Sequence, residues 1–178
     1  MPDASVFEAF VRRYQDMVFG LAVRMLGDAS EAEDVSQTVF LKAFERFDAL
    51  ADSDTAGGWL RTVTTNLCIN HLSRYRARWR LFSQRRPAGE DVQNPDEERI
   101  PTPASQMDDL ERSEEQARLE QGLLRLPAHQ RVPLVLFHFE ERSYQDIAAL
   151  LGVSLAKVKT DMHRGRAALR LLLVTRDG

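Results

Sequence analysis

Apolar residues recur every three or four positions along most of this chain, the period of a helix with one buried face. In the first half this period predicts three amphipathic helices, over residues 5–26, from 30 to about 47, and over 59–79. Three helices of about twenty residues can bury a common core. The residues expected to line it are Phe7, Phe10, Val11, Tyr14, Val18, Leu21, Val35, Val39, Phe40, Ala43, Phe44, Phe47, Leu60, Val63, Leu67 and Leu72.

Short local sequences indicate where these helices begin and end. SVFE from Ser5 and SEAE from Ser30 each place a hydroxyl three residues before a glutamate, the capping box that opens a helix. Gly27 suits the left-handed backbone that ends the first helix. Residues 51–58 are polar and end in two glycines, which predicts a loop before the third helix.

Residues 83–104 differ in character from the chain on either side. Four of the seven prolines fall there, apolar residues become sparse and acids accumulate. The helical period resumes near Ser105. The sequence therefore predicts a flexible acidic linker, assigned to residues 83–112, between one domain at 1–82 and another at 113–178.

The chain beyond the linker is also helical in pattern. The period runs to Leu126, and Pro127 suits the first turn of a following helix. Pro133 leaves two interpretations open, because that helix either begins near Val132 or is kinked at the proline. No strand alternation is evident, so the predicted fold is all-α, with an N-terminal helical bundle and a C-terminal helix-turn-helix domain.

Residues 143–170 have the pattern of two short helices joined by a tight turn. Ser143, with Asp146 three residues later, opens the first helix, and Ser154 opens the second. Gly152 between them tolerates left-handed backbone. The inward stripe is Ile147, Ala148, Leu151, Leu155, Val158, Met162, Gly165 and Leu169, and the side chains facing a partner are Lys157, Lys159, Thr160, His163 and Arg164. Such a unit can lay its second helix in the major groove of DNA.

Charge is sorted into blocks, although the net charge is only −3. Residues 1–54 have 11 acidic and 5 basic side chains, whereas residues 55–89 have 7 arginines and no acid. Residues 90–120 return to 11 acidic against 3 basic, and residues 157–176 hold six Lys or Arg and one Asp. Two basic surfaces indicate two separate contacts with nucleic acid. For the C-terminal block, a helical hairpin with a solvated basic face is the alternative.

Composition argues against several other classes of protein. The chain has no run of eighteen apolar residues, and Met1–Glu8 lacks the features of a signal peptide, so we expect a cytoplasmic protein without direct membrane insertion. Cys68 is the only cysteine and is expected to be a small buried hydrophobe. Cys68 and His71 lie one turn apart, but structural zinc needs four ligands, so we expect no metal and no cofactor. No phosphate-binding loop or nucleophile–base pair suggests an enzyme.

Several segments match one known family in their order and spacing. Besides Tyr14 they are DVSQTVFLKAFERF at 34–47, GGWLRTVTTNLCINHLSRYR at 57–76, LPAHQRVPLVLFHFEERSYQDIAALLGVS at 126–154 and VKTDMHRGRAALR at 158–170. With a proline-rich acidic linker between them, the chain resembles an extracytoplasmic-function (ECF) sigma factor of the sigma-70 family. The resemblance implies a non-catalytic subunit that binds core bacterial RNA polymerase and directs promoter-specific transcription initiation.

The resemblance also implies protein partners. The second helix of such proteins docks on the clamp coiled coil of core RNA polymerase, and the polymerase flap is a further contact. The implicated residues are Asp34, Gln37, Phe40, Lys42 and Arg46, for which the residues alone suggest only a solvated helix face. An anti-sigma factor that holds the free protein inactive is the other implied partner.

The third helix and the loop before it resemble the part that opens the minus-ten promoter element. A flipped base needs a planar hydrogen-bonding side chain, with cations along the DNA backbone. Asn66 stands at the family's base-contacting position, and the implied set is Arg61, Asn66, Asn70, Arg74, Arg76 and Arg78. Trp59 is expected in the core, whereas Tyr75 and Trp79 either stack on bases or pack.

The resemblance places the helix that reads the minus-thirty-five element at residues 154–166. The implied contacts are Ser154, Lys157, Lys159, Thr160, His163, Arg164 and Arg166. Lys159 and Arg164 are the best readers, since they donate to guanine or to phosphate. Asp161 departs from the family's frequent basic residue and either accepts from cytosine or caps a neighbouring arginine, and Lys157 replaces a common threonine.

Two rival classes and the role of the linker stay open. A free-standing transcriptional regulator needs a sensor or dimerisation domain, and the basic third helix with Asn66 favours a sigma factor instead. An adaptor needs no pair of basic DNA surfaces. The linker resembles a segment that threads near the polymerase active site, where its acids either imitate a polyanion or only solubilise a tether.

Overall fold

The computed structural model describes residues 2–73 and 109–175, and the chain divides into two units, residues 1–74 and 75–178. Within the described residues all regular structure is α-helical, in eight helices. The all-α prediction is therefore confirmed for this part of the chain. The predicted linker lies outside the described residues up to position 108, as does the predicted domain boundary at residue 82.

The first unit contains four helices. They are α1 (Ala4–Leu26), α2 (Ala29–Glu45), α3 (Phe47–Leu50) and α4 (Ala56–His71). Helices α1, α2 and α4 pack on one another around a core that includes Val18, Leu21, Met25, Val39 and Leu60, each 1% exposed or less. These five residues lie at the predicted helical spacing, with Met25 one turn beyond the predicted stripe of α1.

The two predicted capping boxes are wrong in detail. The side chain of Asp3 caps α1 by accepting from the Ser5 amide at 2.9 Å, and Asp28 caps α2 by accepting from the Glu31 amide at 2.9 Å. Aspartate is as good an N-cap as serine, and its charge also interacts favourably with the positive helix end. Each helix therefore starts earlier, directly after the upstream aspartate, and Ser5 lies within the first turn.

The predicted inner face of α2 is only partly buried. Val35, Val39 and Ala43 are buried, but Phe40 is half-buried and Phe44 is 38% exposed. Phe47 is buried, although it belongs to α3 because α2 ends at Glu45. The apolar period of α2 is therefore confirmed, but Phe40 and Phe44 at one edge of the apolar stripe face outward.

Helix α4 begins earlier than the glycine pair suggests. It starts at Ala56, which is 1% exposed, so Gly57 and Gly58 lie in its first turn rather than in a loop. Burial of Ala56 against the bundle outweighs the low helix propensity of the two glycines. The single helix predicted over 59–79 is also wrong at its other end, because α4 ends at His71 with Leu72 as its C-cap. Residues from 74 onward lie outside the described residues.

Four helices are described in the second unit, within residues 109–175. They are α5 (Asp109–Arg125), α6 (Ala128–His138), α7 (Tyr144–Leu151) and α8 (Leu155–Val174). Helix α5 already includes residues 109–112, which were assigned to the linker. The core lies where α6, α7 and α8 meet, and it contains Val132, Leu134, Leu136, Ile147, Val158 and Met162.

Pro133 lies inside α6, so the helix start predicted near Val132 is wrong. The helix begins at Ala128 and continues past the proline to His138. Proline provides no N–H for the carbonyl four residues earlier. Its ring is nevertheless buried, as are Val132 and Leu134 on either side, and this apolar burial offsets the missing hydrogen bond.

The helix-turn-helix has the predicted caps. Ser143 Oγ accepts from the Asp146 amide at 3.1 Å, and Ser154 Oγ accepts from the Lys157 amide at 3.1 Å. Gly152 has φ 66°, the left-handed conformation expected at the end of α7. These caps fix where α8 begins and therefore which of its side chains point outward.

Gly165 allows α8 to lie close against α6. A Cβ atom at this position would lie 2.9 Å from Leu134 Cδ1 and 3.3 Å from the backbone oxygen of Gln130. We expect Gly165→Ala to lower the free energy of unfolding by about 1–2 kcal/mol, since overpacking outweighs the gain of about 1 kcal/mol in helix propensity. Urea unfolding measures the change.

Gly58→Ala is the matched control for this substitution. A Cβ atom at Gly58 would have no other heavy atom within 4 Å, so only the helix propensity changes and we expect unaltered or higher stability. Equal effects of the two substitutions would contradict the proposed close approach of α8.

Candidate nucleic-acid and polymerase interfaces

Helix α4 presents a polar, largely uncharged face to solvent. Asn66 and Asn70 are exposed and lie one turn apart, and Arg61 is exposed beside them. Thr62, one turn before Asn66, shares the face, and its Oγ1 donates to the Gly58 carbonyl at 3.0 Å. Sequence reasoning missed Thr62, although its spacing of four from Asn66 places it there. Carboxamides both donate and accept, so this face can pair with base edges.

The remaining residues predicted for the minus-ten element fall outside the described residues. These are Arg74, Arg76 and Arg78, together with the two aromatic residues Tyr75 and Trp79. Trp59, expected in the core, is half-buried in the first turn of α4. The opposite side of the helix is anchored by buried Thr64, whose Oγ1 donates to the Leu60 carbonyl at 2.6 Å.

Cys68 and His71 have separate environments. The Cys68 side chain is fully buried in the core of the first unit, and burial raises the pKa of its thiol to about 12. His71 is exposed, with Nε2 3.4 Å from a carboxylate oxygen of Glu31 on α2. Across residues 2–73 and 109–175, no three His, Cys, Asp or Glu side chains gather as a metal site would require.

Helix α8 carries the cations predicted to face DNA. Lys159, His163 and Arg164 are exposed, and Arg170 continues the exposed basic side of the helix. Thr160 is half-buried. The Ser154 side chain is occupied as the N-cap, so it orients the start of the helix. The exposed group suits donation to phosphates and to base edges in a major groove.

Two charged residues of α8 are drawn away from solvent instead, Asp161 buried and Lys157 half-buried. Asp161 is 6% exposed, and its Oδ2 lies 2.6 Å from Lys157 Nζ. Lys157 was predicted to face DNA, but its ammonium is directed along the helix to this carboxylate. For Asp161 the sequence leaves open base reading or capping of an arginine, and the structure shows an ion pair with Lys157.

Arg166 contacts α6 rather than extending from the surface. Its Nη2 donates to His138 Nε2 at 3.4 Å, and its guanidinium carbon lies 5.7 Å from the centre of the Phe137 ring. Burial and the neighbouring guanidinium lower the pKa of His138 to about 4. The histidine is therefore neutral at pH 7, in keeping with its acceptor role.

The depressed pKa of His138 predicts a stability loss in acid. Because the folded pKa is about 4 and the ordinary value is 6.5, stability is full above pH 6.5 and declines as the pH falls toward 4. His138 is only half-buried, so we expect a loss of about 1–2 kcal/mol over that interval. Comparing the pH dependence of urea unfolding between the native chain and His138→Gln isolates the contribution of His138. Identical pH dependence of the two proteins would contradict it.

An apolar groove of about 820 Å³ runs between α1 and α2. Its apolar residues are Phe7, Val11, Phe19, Phe40, Leu41 and Phe44. Leu41 is 66% exposed and Phe44 38%. Both charged side chains that the structure describes along the groove, Asp16 and Glu33, are acidic. Exposed apolar surface of this extent in a small unit is typical of a protein-binding site.

The predicted polymerase contacts on α2 divide at this groove. Gln37 and Phe40 line it. Asp34 and Lys42 are exposed on α2 outside the lining, and Arg46 follows the last residue of the helix. The groove also includes Phe7 and Val11 of α1, which the apolar period predicts for the core.

The second unit has a smaller recess of about 280 Å³ between α5 and the end of α8. Leu124, Leu172 and Leu173 line it, with Arg118 and Arg125 beside them. Leu171 and Val174 at the end of α8 are 67% and 70% exposed. This end of the unit therefore presents apolar surface next to basic side chains, in contrast to the acidic groove of the first unit.

Comparison with known proteins identifies the family. The model of Sigma-70 region 2 matches residues 10–78, and that of Sigma-70, region 4 matches residues 116–169. The ECF RNA polymerase sigma factor SigW of Bacillus subtilis is 30% identical over 168 residues, which cover 94% of this chain and 89% of SigW. The chain belongs to the ECF sigma factors of the sigma-70 family.

A second sigma factor agrees with this assignment. The RNA polymerase sigma-E factor of Streptomyces coelicolor is 33% identical over 181 residues, covering 99% of this chain and 91% of that protein. A chain in the co-crystal structure of the sigma factor RpoE with the anti-sigma factor NepR from Bartonella quintana has 22% identity and a TM-score of 0.49, with 94% of this chain and 96% of that chain covered.

As a sigma factor, the protein is a specificity subunit of RNA polymerase and has no catalytic activity of its own. The region 2 match spans most of α1 and all of α2–α4, and the region 4 match spans the helix-turn-helix. None of the helices described in either unit is long and apolar enough to cross a membrane.

Proposed function

We propose that this sigma factor reads a promoter at two places, the minus-ten element through α4 and the minus-thirty-five element through α8, while the α1–α2 groove binds core polymerase. One observation carries the proposal. The two units each expose one helix face whose chemistry suits a different form of DNA, amides on α4 and cations on the capped helix α8.

The α4 face supports recognition of unpaired bases. Asn66 is exposed on a helix anchored by buried Leu60 and Cys68, so its carboxamide is held on a rigid support. Proteins read a flipped base by hydrogen bonds to its exposed edge. In this proposal Asn66 and Asn70 pair with bases of the non-template strand, and Arg61 contacts the backbone. Arg74, Arg76 and Arg78 stay predicted backbone or base contacts.

The α8 face supports recognition of duplex DNA. The Ser154 cap and the close approach at Gly165 fix the direction and the rotation of the helix on its unit. Lys159, His163 and Arg164 are then presented together, and a recognition helix uses side chains of this kind in the major groove. Arg166 stays a predicted phosphate contact whose described partners lie on α6.

The α1–α2 groove supports docking of the polymerase clamp. A helix can lay an apolar stripe flanked by charge into a groove, and this groove offers an apolar floor with Asp16 and Glu33 beside it. Gln37 on the same wall can hydrogen-bond across the contact. We assign the recess lined by Leu124, Leu172 and Leu173 to the polymerase flap, as the second contact of the same enzyme.

Control by an anti-sigma factor is part of the proposal. Both apolar surfaces are open in the free chain, and a protein that covered the α1–α2 groove would compete directly with polymerase. A purified candidate regulator should therefore compete with core polymerase for this chain. Simultaneous binding of both without loss of affinity would contradict the idea.

In vitro transcription with purified core polymerase on a randomised promoter library tests the proposed function. The expected result is initiation only when this chain is present, from sequences that share two conserved elements. Core polymerase alone and core with a denatured sample of the chain are the controls. Unselective initiation, or sequence-specific duplex binding by the chain without polymerase dependence, would favour a free-standing regulator.

A further inference from the structure

The first turns of α8 contain an ion pair that the DNA-binding proposal leaves unexplained. Lys157 Nζ and Asp161 Oδ2 lie 2.6 Å apart, with side chains only 15% and 8% exposed. Lys159, two residues further along, is exposed instead. The same turn of helix thus holds one lysine sequestered by a carboxylate and one lysine open to a ligand.

The ion pair is explained by burial in the folded unit and not by a contribution to the stability of the isolated helix. A lysine four residues before an acid is the less favourable order on a helix, and a cation in the first turn opposes the helix dipole. Lys157 occupies that unfavourable position, since its amide is the one that Ser154 caps. Burial explains the arrangement, because a charge with so little solvent contact needs a partner of opposite sign.

This arrangement determines what Lys157 can do at DNA. To reach a phosphate, its ammonium would have to give up an ion pair at 2.6 Å between two side chains with little solvent contact. A short charge-assisted bond of this kind is stronger than a contact with a phosphate that salt screens. Pairing with Asp161 therefore prevails over DNA contact.

We propose that Asp161 is a positioning residue that keeps Lys157 off the DNA, so that α8 reads its site through Lys159, His163 and Arg164. The inference rests on the proposed function of α8. It replaces the expectation that Lys157 is itself a DNA contact. It also gives Asp161 a role in setting specificity without touching a base.

The test is the salt dependence of closed-complex formation. Full-length chain is assembled with core polymerase and bound to a promoter fragment selected from the library, at low temperature and increasing KCl. Asp161→Asn should release Lys157 to a phosphate, steepen the slope of log affinity against log salt by about 1 and tighten binding about fivefold. Lys159→Ala should lower the slope by about 1.

A double variant separates the release of Lys157 from the simple loss of a negative charge. Lys157→Met with Asp161→Asn removes both charges together, and we expect a slope equal to that of the native chain and an affinity within about twofold. A lower slope in this variant would show that Lys157 contacts phosphate in the native chain and would overturn the proposal. If Asp161→Asn raised the affinity for the promoter fragment by the same factor in the native chain and in Lys157→Met, the proposal would be overturned as well.

Two further outcomes are distinguishable from these. If Asp161→Asn alone fails to fold, judged by circular dichroism, the double variant still decides, because it removes both charges of the pair together. If the library yields no selected promoter, the proposed function of α8 fails, and the inference fails with it.

Discussion

Leu41→Glu is expected to lower the affinity of this sigma factor for core RNA polymerase about 30-fold or more. Leu41 is 66% exposed and lines the α1–α2 groove, so a glutamate there would be desolvated against the apolar ridge of the partner. It would also add a third acid to a groove that Asp16 and Glu33 already line. Fluorescence anisotropy of labelled chain titrated with core polymerase measures the change.

Val6→Glu is the matched control. Val6 is 51% exposed on α1 but does not line the groove, so the same charge is introduced on the same unit away from the proposed contact. It should leave polymerase affinity within about twofold, since surface substitutions away from a contact are usually nearly neutral. Equal losses in the two variants, or a normal affinity in Leu41→Glu, would contradict the docking assignment.

Asn66→Ala is expected to reduce promoter opening about 10-fold to 100-fold while closed-complex affinity changes little. A base flipped into a polar site loses its hydrogen-bond partner when the carboxamide is removed, and such losses are large for buried polar groups. Permanganate footprinting measures opening, and a filter-binding assay at low temperature measures the closed complex.

Thr62→Ala provides the comparison for Asn66. Thr62 lies one turn away on the same exposed face, but its hydroxyl is turned back to the Gly58 carbonyl. Its removal should leave opening nearly unchanged. If Asn66→Ala weakened duplex binding and opening to the same degree, the residue would act in general DNA affinity rather than in reading an unpaired base.

Local signals explain which parts of the fold could be predicted. The caps at Ser143, Gly152 and Ser154 depend on a few neighbouring residues, and all three were predicted correctly. The predicted N-caps of α1 and α2 are wrong, because an aspartate shortly before each predicted serine can also cap a helix. Asp3 and Asp28 hold these N-cap positions. Periodicity placed α2 correctly, yet it treated Phe40 and Phe44 as core, because apolar spacing is the same for a buried stripe and for a docking groove.

Some predicted site residues are exposed as the sequence indicates, whereas others depend on how the helices pack. Asn66, Asn70 and Lys159 are exposed where the helical register puts them. Arg166 was counted among the DNA-facing cations, but its position against Phe137 and His138 depends on how α8 crosses α6. That crossing depends on the space at Gly165, which involves residues some thirty positions apart in the chain and leaves no local pattern to read.

The sequence by itself determined the helical class, the helix-turn-helix with its caps and, through the order of its motifs, membership of the sigma factors. Those properties depend on short-range periodicity and on residue identity, which are visible in a linear chain. Only the tertiary structure decided that α1 and α2 enclose an open apolar groove, and that Lys157 is held by Asp161 while Lys159 is free to meet DNA. Depth of burial is a property of packed helices, and it determines whether a charge or an aromatic ring serves the core or a partner.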